Sequence, residues 1–256
     1  MEFNKQSILD KVKEAQQSTV VMDEGLRAYM LKVYNFMASG ILLTGLVSLI
    51  FFKLSVETDS NGSIVALTSL GNTIFLSGFK WIVMLAPLGV VFMFSAKIHS
   101  MSVATAQLVF WVFAALVGLS ISYIFVVYTG ISIAQVFFTT AIAFAALSLY
   151  GYTTKKDLSP LGSFCFIGLI GIIIASIANW FLQSEVWQLA ISAIGVLIFA
   201  GLTAYDTQNI KNTYLQYRTT YGEEFAEKMG IMGALSLYLN FLNMFMMLLY
   251  LFGNRD

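Results

Sequence analysis

The sequence predicts an all-α integral membrane protein with seven transmembrane helices, and two observations lead to this class. Of the 256 residues, 58% are hydrophobic and only 11% are charged, whereas soluble domains carry about 25% charged residues. A soluble core of this size cannot bury so much apolar surface. In addition, seven apolar stretches approach the roughly 20 residues that a helix needs to cross the hydrocarbon.

The predicted spans follow one another with short connections. Thr129-Gly130 links the third and fourth spans, and Gln183–Glu185 links the fifth and sixth, so these neighbours run antiparallel. Pro87 lies in the second and shortest span, where it removes a backbone hydrogen bond and favours a kink that neighbouring helices tolerate in a membrane. The predicted spans are Val33–Phe52, Lys80–Ser95, Val103–Tyr128, Ile131–Tyr150, Leu161–Leu182, Val186–Tyr205 and Gly230–Phe252.

The segments between the spans are polar or too short to cross. The N-terminal residues lack the apolar core of a cleavable signal peptide, so we expect the first span to direct insertion. Ser63–Leu76 is expected to lie at the outer interface of the membrane, and Thr207–Met229 to extend the sixth helix and turn near Gly222. The domain boundaries are residues 1–32 for a cytoplasmic N-terminal arm, 33–253 for the transmembrane domain and 254–256 for a C-terminal tail.

Lysine and arginine are divided unequally between the two predicted sides of the membrane. Eleven of the fourteen lie in the arm and in the loops after spans two, four and six, whereas Lys53, Lys80 and Arg255 lie on the other side. Because cytoplasmic loops are enriched in these residues, we expect a cytoplasmic N-terminus and a C-terminus outside. The fourteen acidic residues cancel the basic ones, which argues against a nucleic-acid partner.

An aspartate, Asp206, directly follows the predicted sixth span in the sequence AYDTQNIK. A charged side chain within the hydrocarbon is costly and is usually functional. At the end of a span, the same residue can instead be an ordinary boundary acid that reaches the water among the lipid headgroups. Position alone leaves both interpretations open.

A stripe of polar side chains follows one face of the predicted seventh span. Ser236, Asn240 and Asn243 have i, i+4, i+7 spacing, so they project from the same side of the helix. Such a stripe is expected to face protein or water, not lipid. It indicates either hydrogen bonds between helices, which contribute about 0.6–2 kcal/mol each, or a polar path that this helix lines.

The sequence does not favour an enzyme. An intramembrane aspartyl protease needs two acids that share a proton, and no other predicted span carries an acid in its interior. A serine protease needs a base, and the only histidine, His99, lies in a loop. One histidine and one cysteine, Cys165, are too few soft ligands for a zinc site. We therefore predict no enzymatic activity and no cofactor.

Several motifs together resemble the transmembrane Bax inhibitor motif family. They are AYDTQNIK at Ala204–Lys211, YGYTTKKDLS at Tyr150–Ser159 and GALSLYLNFLNMF at Gly233–Phe245. LFGNR at Leu251–Arg255 and KWIVMLAPL at Lys80–Leu88 resemble its bacterial members. The likeness runs from about Arg27 to the C-terminus. It implies six helices around a central seventh, a location in the bacterial inner membrane, and a pH-modulated leak of calcium or another cation.

The resemblance also implies a proton-sensing pair of aspartates near the cytoplasmic side. The first matches Asp206, but the second position is Asn240 in this chain. An Asp–Asn pair has no second charge, so we expect weaker or acid-shifted pH gating. With straight helices and the predicted boundaries, Asn240 would lie about 12 Å deeper than Asp206, and the two would meet only if a helix is tilted or shifted.

Other side chains are candidate partners of this gate. Lys97 is expected either to pair with Asp206 and hold the gate closed or to extend toward the headgroups. Tyr205, Ser236 and Asn243 lie close to the pair in sequence or on the same helical face. Because calcium prefers six to eight oxygen ligands, we expect its transient passage near Asp206 and no firm metal site.

Two other functions remain open. The chain could be a membrane-embedded modulator of a quality-control protease, or of a stress or cell-death pathway, acting through protein contacts of the arm Met1–Lys32. It could also be a helical scaffold in the lipid bilayer with no transport. Calcium flux and proteolysis of membrane substrates distinguish these functions from a leak.

Overall fold

The computed structural model describes the backbone of residues 2–60 and 63–255 and the side chains of residues 24–60, 63–216 and 222–255. Within these ranges seven helices are long and apolar enough to cross a membrane. Large apolar side chains on their outer faces are exposed, among them Ile142 at 73% and Phe181 at 80%, as expected for contact with lipid. The predicted class and the seven spans are confirmed. The spans are Glu24–Ser55, Phe79–Ser100, Val103–Val127, Gly130–Thr153, Ser159–Leu182, Glu185–Gln216 and Gly222–Phe252.

Local sequence signals explain where several helices begin. The side-chain oxygens of Ser102, Thr129 and Ser184 each accept a hydrogen bond from a backbone N–H in the first turn of the helix that follows, which satisfies a donor that has no partner within the helix. The helices are α1 Glu2–Ser55, α2 Ser69–Gly71, α3 Phe79–Lys97, α4 Val103–Ile121, α5 Ile124–Val127, α6 Gly130–Thr153, α7 Ser159–Leu182 and α8 Glu185–Phe252, with a π-helical turn at Asn72–Leu76 and a 3₁₀ turn at Ile98–Ser100.

The connection between the first two spans contains a small β-hairpin. Strands β1 (Val56–Thr58) and β2 (Ile64–Leu67) pair antiparallel, and the helical turns Ser69–Leu76 follow. The segment packs closely onto the end of the first helix, because a Cβ at Gly71 would lie 2.1 Å from the carbonyl oxygen of Ser55. Its location at the outer interface stays a prediction.

The part of the first helix that packs against the bundle begins closer to the N-terminus than the sequence predicted. It runs without interruption from Glu2 to Ser55, and Leu26, Tyr29 and Met30 are already buried in the core. The packed part therefore begins before residue 33, where we placed the start of the first span. The side chains of residues 1–23, most of the predicted arm, lie outside the described residues.

The seventh span is the most buried of the seven. Half of its most apolar window is buried, against 17–39% in the other spans. Its aromatic side chains make edge-to-face contacts with neighbouring spans: Tyr238 with Phe110 and Phe113 of the third, and Phe241 with Phe144 of the fourth. Such burial favours a central position for this helix, although the full arrangement of six helices around it stays a prediction.

A buried hydrogen-bond relay joins the first, third and seventh spans. Thr44 Oγ1 donates to the carbonyl oxygen of Ala114 at 2.8 Å and lies 2.6 Å from the hydroxyl oxygen of Tyr238. Because a threonine hydroxyl has a single hydrogen, Tyr238 is the donor in the second bond. The phenol is fully buried, so the relay fixes the seventh span against two neighbours.

Replacing Tyr238 with phenylalanine is expected to lower the free energy of unfolding by about 1 kcal/mol. The variant loses one buried bond, whereas Thr44 keeps its bond to Ala114. Thermal unfolding in detergent measures the loss. Tyr150→Phe is the control, because Tyr150 is 48% exposed and its hydroxyl bonds no described residue. Equal unfolding midpoints in the two variants would show that the relay contributes nothing measurable.

Candidate functional site

The sixth span carries polar side chains on two opposite faces at AYDTQ. Asp206 and Gln208 are two residues apart, which rotates their side chains by about 200° around the helix. Asp206 points to the seventh span, and Gln208 points to the loop between the fourth and fifth spans. The polar residues after the apolar run therefore serve two separate contacts between helices.

Asp206 is bonded directly to the seventh span. Its Oδ2 atom accepts a hydrogen bond from Ser236 Oγ at 2.5 Å and another from Asn240 Nδ2 at 2.7 Å. The i, i+4 spacing of the donors places both on one helical face. Asn240 is buried, and Asp206 and Ser236 are partly buried. Hydrogen bonds to an ionised carboxylate are roughly twice as strong as neutral ones, so this cluster ties the two helices together.

The turn at Gly222 explains why Asp206 and Asn240 meet. Gly222 has φ 81° and ψ 177°, a conformation that glycine adopts readily, and the predicted turn there is confirmed. Asp206 lies sixteen residues before this turn and Asn240 eighteen after it, or roughly 24 and 27 Å along the two helices. The expected depth difference of 12 Å is wrong, because the sixth helix continues past residue 205 and the seventh begins before residue 230.

A cavity of about 170 Å³ lies between the sixth and seventh spans and ends at this cluster. Its lining extends from Asp206 and Ser236 about two helical turns toward Gly222, through Asn209, Thr213 and Met229, and has room for a few water molecules. Among the described residues that line it, Asp206 is the only ionisable one. Beyond the cluster, the seventh span is packed. The carboxylate thus lies at the boundary between a cavity with a mixed polar and apolar lining and the packed core.

Three other predicted site residues lie apart from this cluster. Asn243 donates to Leu239 of its own helix at 2.8 Å. The ring of Tyr205 lies against Gly162 of the fifth span, where a Cβ would come within 2.5 Å of it. The side chain of Lys97 is exposed, and its ammonium group makes no hydrogen bond or ion pair with any residue in the described part of the chain. The structure therefore does not bring Lys97 to Asp206.

Gln208 and Lys211 form a second polar contact that our sequence reasoning did not single out. Gln208 accepts from the backbone N–H of Leu158 and donates to the carbonyl oxygen of Lys156, both at 2.8 Å. Lys211 Nζ donates to the carbonyl oxygen of Tyr152 at 2.7 Å. The motif AYDTQNIK contained both residues, but nothing in it indicated which loop they would bind.

The described residues contain no group of three or more histidine, cysteine, aspartate or glutamate side chains that could hold a metal ion. The oxygen-bearing side chains of the cluster are Asp206, Ser236 and Asn240, fewer than the six to eight ligands that calcium prefers. Such an arrangement suits brief contact with a passing cation better than tight binding.

Comparison with known proteins identifies the family. The family model described as inhibitor of apoptosis-promoting Bax1 matches residues 26–256. The chain belongs to this Bax inhibitor family. The match begins at the residue where the described core begins, and it includes both halves of the Asp206 cluster. The resemblance read from the sequence motifs is therefore confirmed.

Two bacterial proteins are similar to this chain along almost their whole length. The chain is 44% identical to the inner membrane protein YbhL of Escherichia coli (strain K12) over 231 residues, which cover 90% of this chain and 93% of that protein. It is 46% identical to the uncharacterized protein RP147 of Rickettsia prowazekii (strain Madrid E), with 91% and 92% covered. The family likeness thus extends over all seven spans.

Proposed function

We propose that this protein is a pH-modulated leak for calcium or another cation in the bacterial inner membrane. The observation that carries the proposal is the bonding of Asp206 to Ser236 and Asn240 at the inner end of a cavity in which Asp206 is the only ionisable residue among the described lining residues. Membership of the Bax inhibitor family supports it. The relative YbhL is named an inner membrane protein, and we extend that location to this chain.

The described arrangement corresponds to a closed leak. A cation that enters the cavity from the turn at Gly222 meets the Asp206 carboxylate and then the packed seventh span, which is buried at Leu237 and Tyr238. Passage requires the sixth and seventh spans to separate, or the seventh to shift. The two hydrogen bonds to Asp206 Oδ2 oppose both movements.

Protonation of Asp206 weakens this closure. An ionised carboxylate accepts both hydrogen bonds with the help of its charge, whereas a protonated one accepts them as a neutral group. The loss is about 1 kcal/mol for each bond, or roughly a thirtyfold change in the ratio of closed to open protein for the pair. Flux is therefore expected to rise as the pH falls.

Calcium flux through proteoliposomes at several pH values tests this function. Asp206→Asn keeps the shape and the acceptor oxygen but removes the charge, so the variant resembles the protonated protein at every pH. We expect its flux at neutral pH to rise toward the value that the wild type reaches in acid, and its dependence on pH to disappear.

Asp157→Asn is the matched control. Asp157 lies in the exposed loop between the fourth and fifth spans, where its Oδ1 accepts from the backbone N–H of Ser159 at 2.9 Å, so its replacement should leave the flux–pH curve unchanged. If Asp206→Asn retains the wild-type curve, Asp206 is not the sensor. If wild-type liposomes leak no more than empty ones, the leak is rejected and the two functions without transport, a modulator through protein contacts and a scaffold, are left.

A further inference from the structure

The first and fourth spans leave an open groove between them at one end of the bundle. Both pack against the hairpin of the sixth and seventh spans and only marginally against each other. The resulting groove has a volume of about 570 Å³. None of its lining residues lines the Asp206 cavity, so the groove is separate from the site that the leak requires.

The groove has a buried apolar floor and exposed apolar rims. Met30, Met37 and Phe144 form the floor and are at most 6% exposed, whereas Leu31 and Leu149 on the rims are 53% and 63% exposed. A groove on the flank of two membrane spans opens sideways into the bilayer. Its natural occupant is a lipid, because acyl chains surround the helices here.

The length of the groove fits one leaflet of the membrane. It extends along the first span from Arg27 to Ala38, eleven residues or about 16 Å of helix. One leaflet contributes about 15 Å of hydrocarbon. A lipid whose acyl chain ends near Ala38 therefore has its headgroup at the level of Arg27.

The end of the groove at Arg27 carries positive charge. Arg27 is exposed and makes no ion pair with any side chain that the structure describes. Lys211 Nζ lies 5.5 Å from the ring centre of Tyr152, another lining residue. These two cations and the tyrosine match an anionic headgroup, because basic pockets between membrane helices bind lipid phosphates.

Ser148 supplies an independent indication of a ligand. Its side chain lines the groove and is 5% exposed, and its buried Oγ atom has no hydrogen-bond partner among the residues whose side chains are described. Buried hydroxyls are normally paired. Ser148 lies one helical turn deeper than Tyr152, about 6 Å, and a rotation about its Cα–Cβ bond would let the hydroxyl donate to an ester carbonyl of a lipid whose phosphate lies beside Arg27.

We propose that this groove, formed by the first and fourth spans between Arg27 and Ala38, binds an anionic phospholipid. One acyl chain lies along the Met30–Met37–Phe144 floor, the phosphate contacts Arg27, and an ester oxygen accepts the hydrogen bond of Ser148. With the N-terminus in the cytoplasm, as the charge distribution predicts, the lipid comes from the cytoplasmic leaflet. The site is independent of whether the protein conducts calcium.

Native mass spectrometry of the full-length protein tests this site. The purified protein is incubated with equal amounts of phosphatidylglycerol and phosphatidylcholine that have the same acyl chains. We expect preferential retention of phosphatidylglycerol by the wild type, and a preference about fivefold lower in Arg27→Gln, since a basic side chain near the membrane surface contributes roughly that factor. Lys155→Gln, an exposed cation at the same end of the bundle, should change nothing.

A second pair of variants tests the apolar part of the groove. Ala145→Trp fills it and should reduce retention of both lipids, whereas Ile142→Trp, on the same helix but outside the groove lining, should not. The proposal would be overturned if Arg27→Gln kept the wild-type preference for phosphatidylglycerol, or if a folded Ala145→Trp retained as much lipid as the wild type.

A photoreactive residue at position 149 provides a third test, in native membranes. It should form an adduct with a phospholipid. An adduct with a protein instead would identify the groove as a protein contact and would also overturn the proposal.

Discussion

Replacing Asn240 with aspartate is expected to reverse the pH dependence of calcium flux, so that flux rises as the pH increases through the value at which the pair loses its shared proton. The amide nitrogen of Asn240 lies 2.7 Å from Asp206 Oδ2, so the variant places two carboxylates within hydrogen-bonding distance. Like charges this close cannot both ionise readily, and the pair shares one proton. Loss of that proton at higher pH produces repulsion between the sixth and seventh spans, which the Asp–Asn pair of the wild type cannot generate.

Proteoliposome flux measured from acid to alkaline pH checks this expectation. Asn243→Asp is the matched control, because Asn243 lies on the same helix but bonds Leu239 and not Asp206. The double variant, which combines Asp206→Asn with Asn240→Asp, again has one carboxylate and one amide. Its flux–pH curve should therefore return toward that of the wild type. A curve for Asn240→Asp that keeps the direction and midpoint of the wild-type curve would show that the two positions do not titrate as a pair.

Replacing Gly151 with alanine is expected to destabilise the bundle more than the same replacement at any other glycine near Asp206. A Cβ at Gly151 would lie 2.2 Å from the backbone carbonyl oxygen of Ala204, and neither helix can move a backbone atom away without separating the fourth and sixth spans. Overpacking of this kind costs about 1–3 kcal/mol and occasionally more. Ala204 precedes Asp206 by two residues, so the displacement also reaches the hydrogen-bonded cluster.

Thermal unfolding in detergent, with calcium flux as a second measurement, checks the Gly151 variant. Gly171→Ala provides the control: Gly171 is also a glycine within a span, but a Cβ there would meet nothing within 4 Å. That variant should keep or slightly raise stability, because alanine favours the helix over glycine by up to about 1 kcal/mol. Equal midpoints in the two alanine variants would mean that the fourth and sixth spans adjust freely at Ala204.

Together, the Asp206 cluster and the Gly151 contact describe how the sixth span is held. One face is bonded to the seventh span through Ser236 and Asn240, and another lies against the fourth span at Gly151. Gln208 adds bonds to the loop after the fourth span. The sixth span is therefore held on both of these faces, by the seventh span on one and by the fourth span on the other.

The sequence was sufficient for the fold class, the seven spans, the turn near Gly222 and the choice of Asp206, Ser236 and Asn240. Hydropathy is a property of the chain itself, because lipid accepts only apolar surface regardless of how the helices pack. Helical periodicity likewise places Ser236 and Asn240 on one face before any neighbour is known. These features needed no knowledge of contacts between helices.

The register between helices was decided only by the tertiary structure. The sequence predicted that the sixth helix extends to a turn near Gly222, but the depths of Asp206 and Asn240 were counted from the apolar boundaries at residues 205 and 230. The structure places Asn240 level with Asp206 on the two sides of that turn, and it leaves Lys97 apart from them. The depth of a side chain depends on where two helices turn and cross, which packing determines and composition does not.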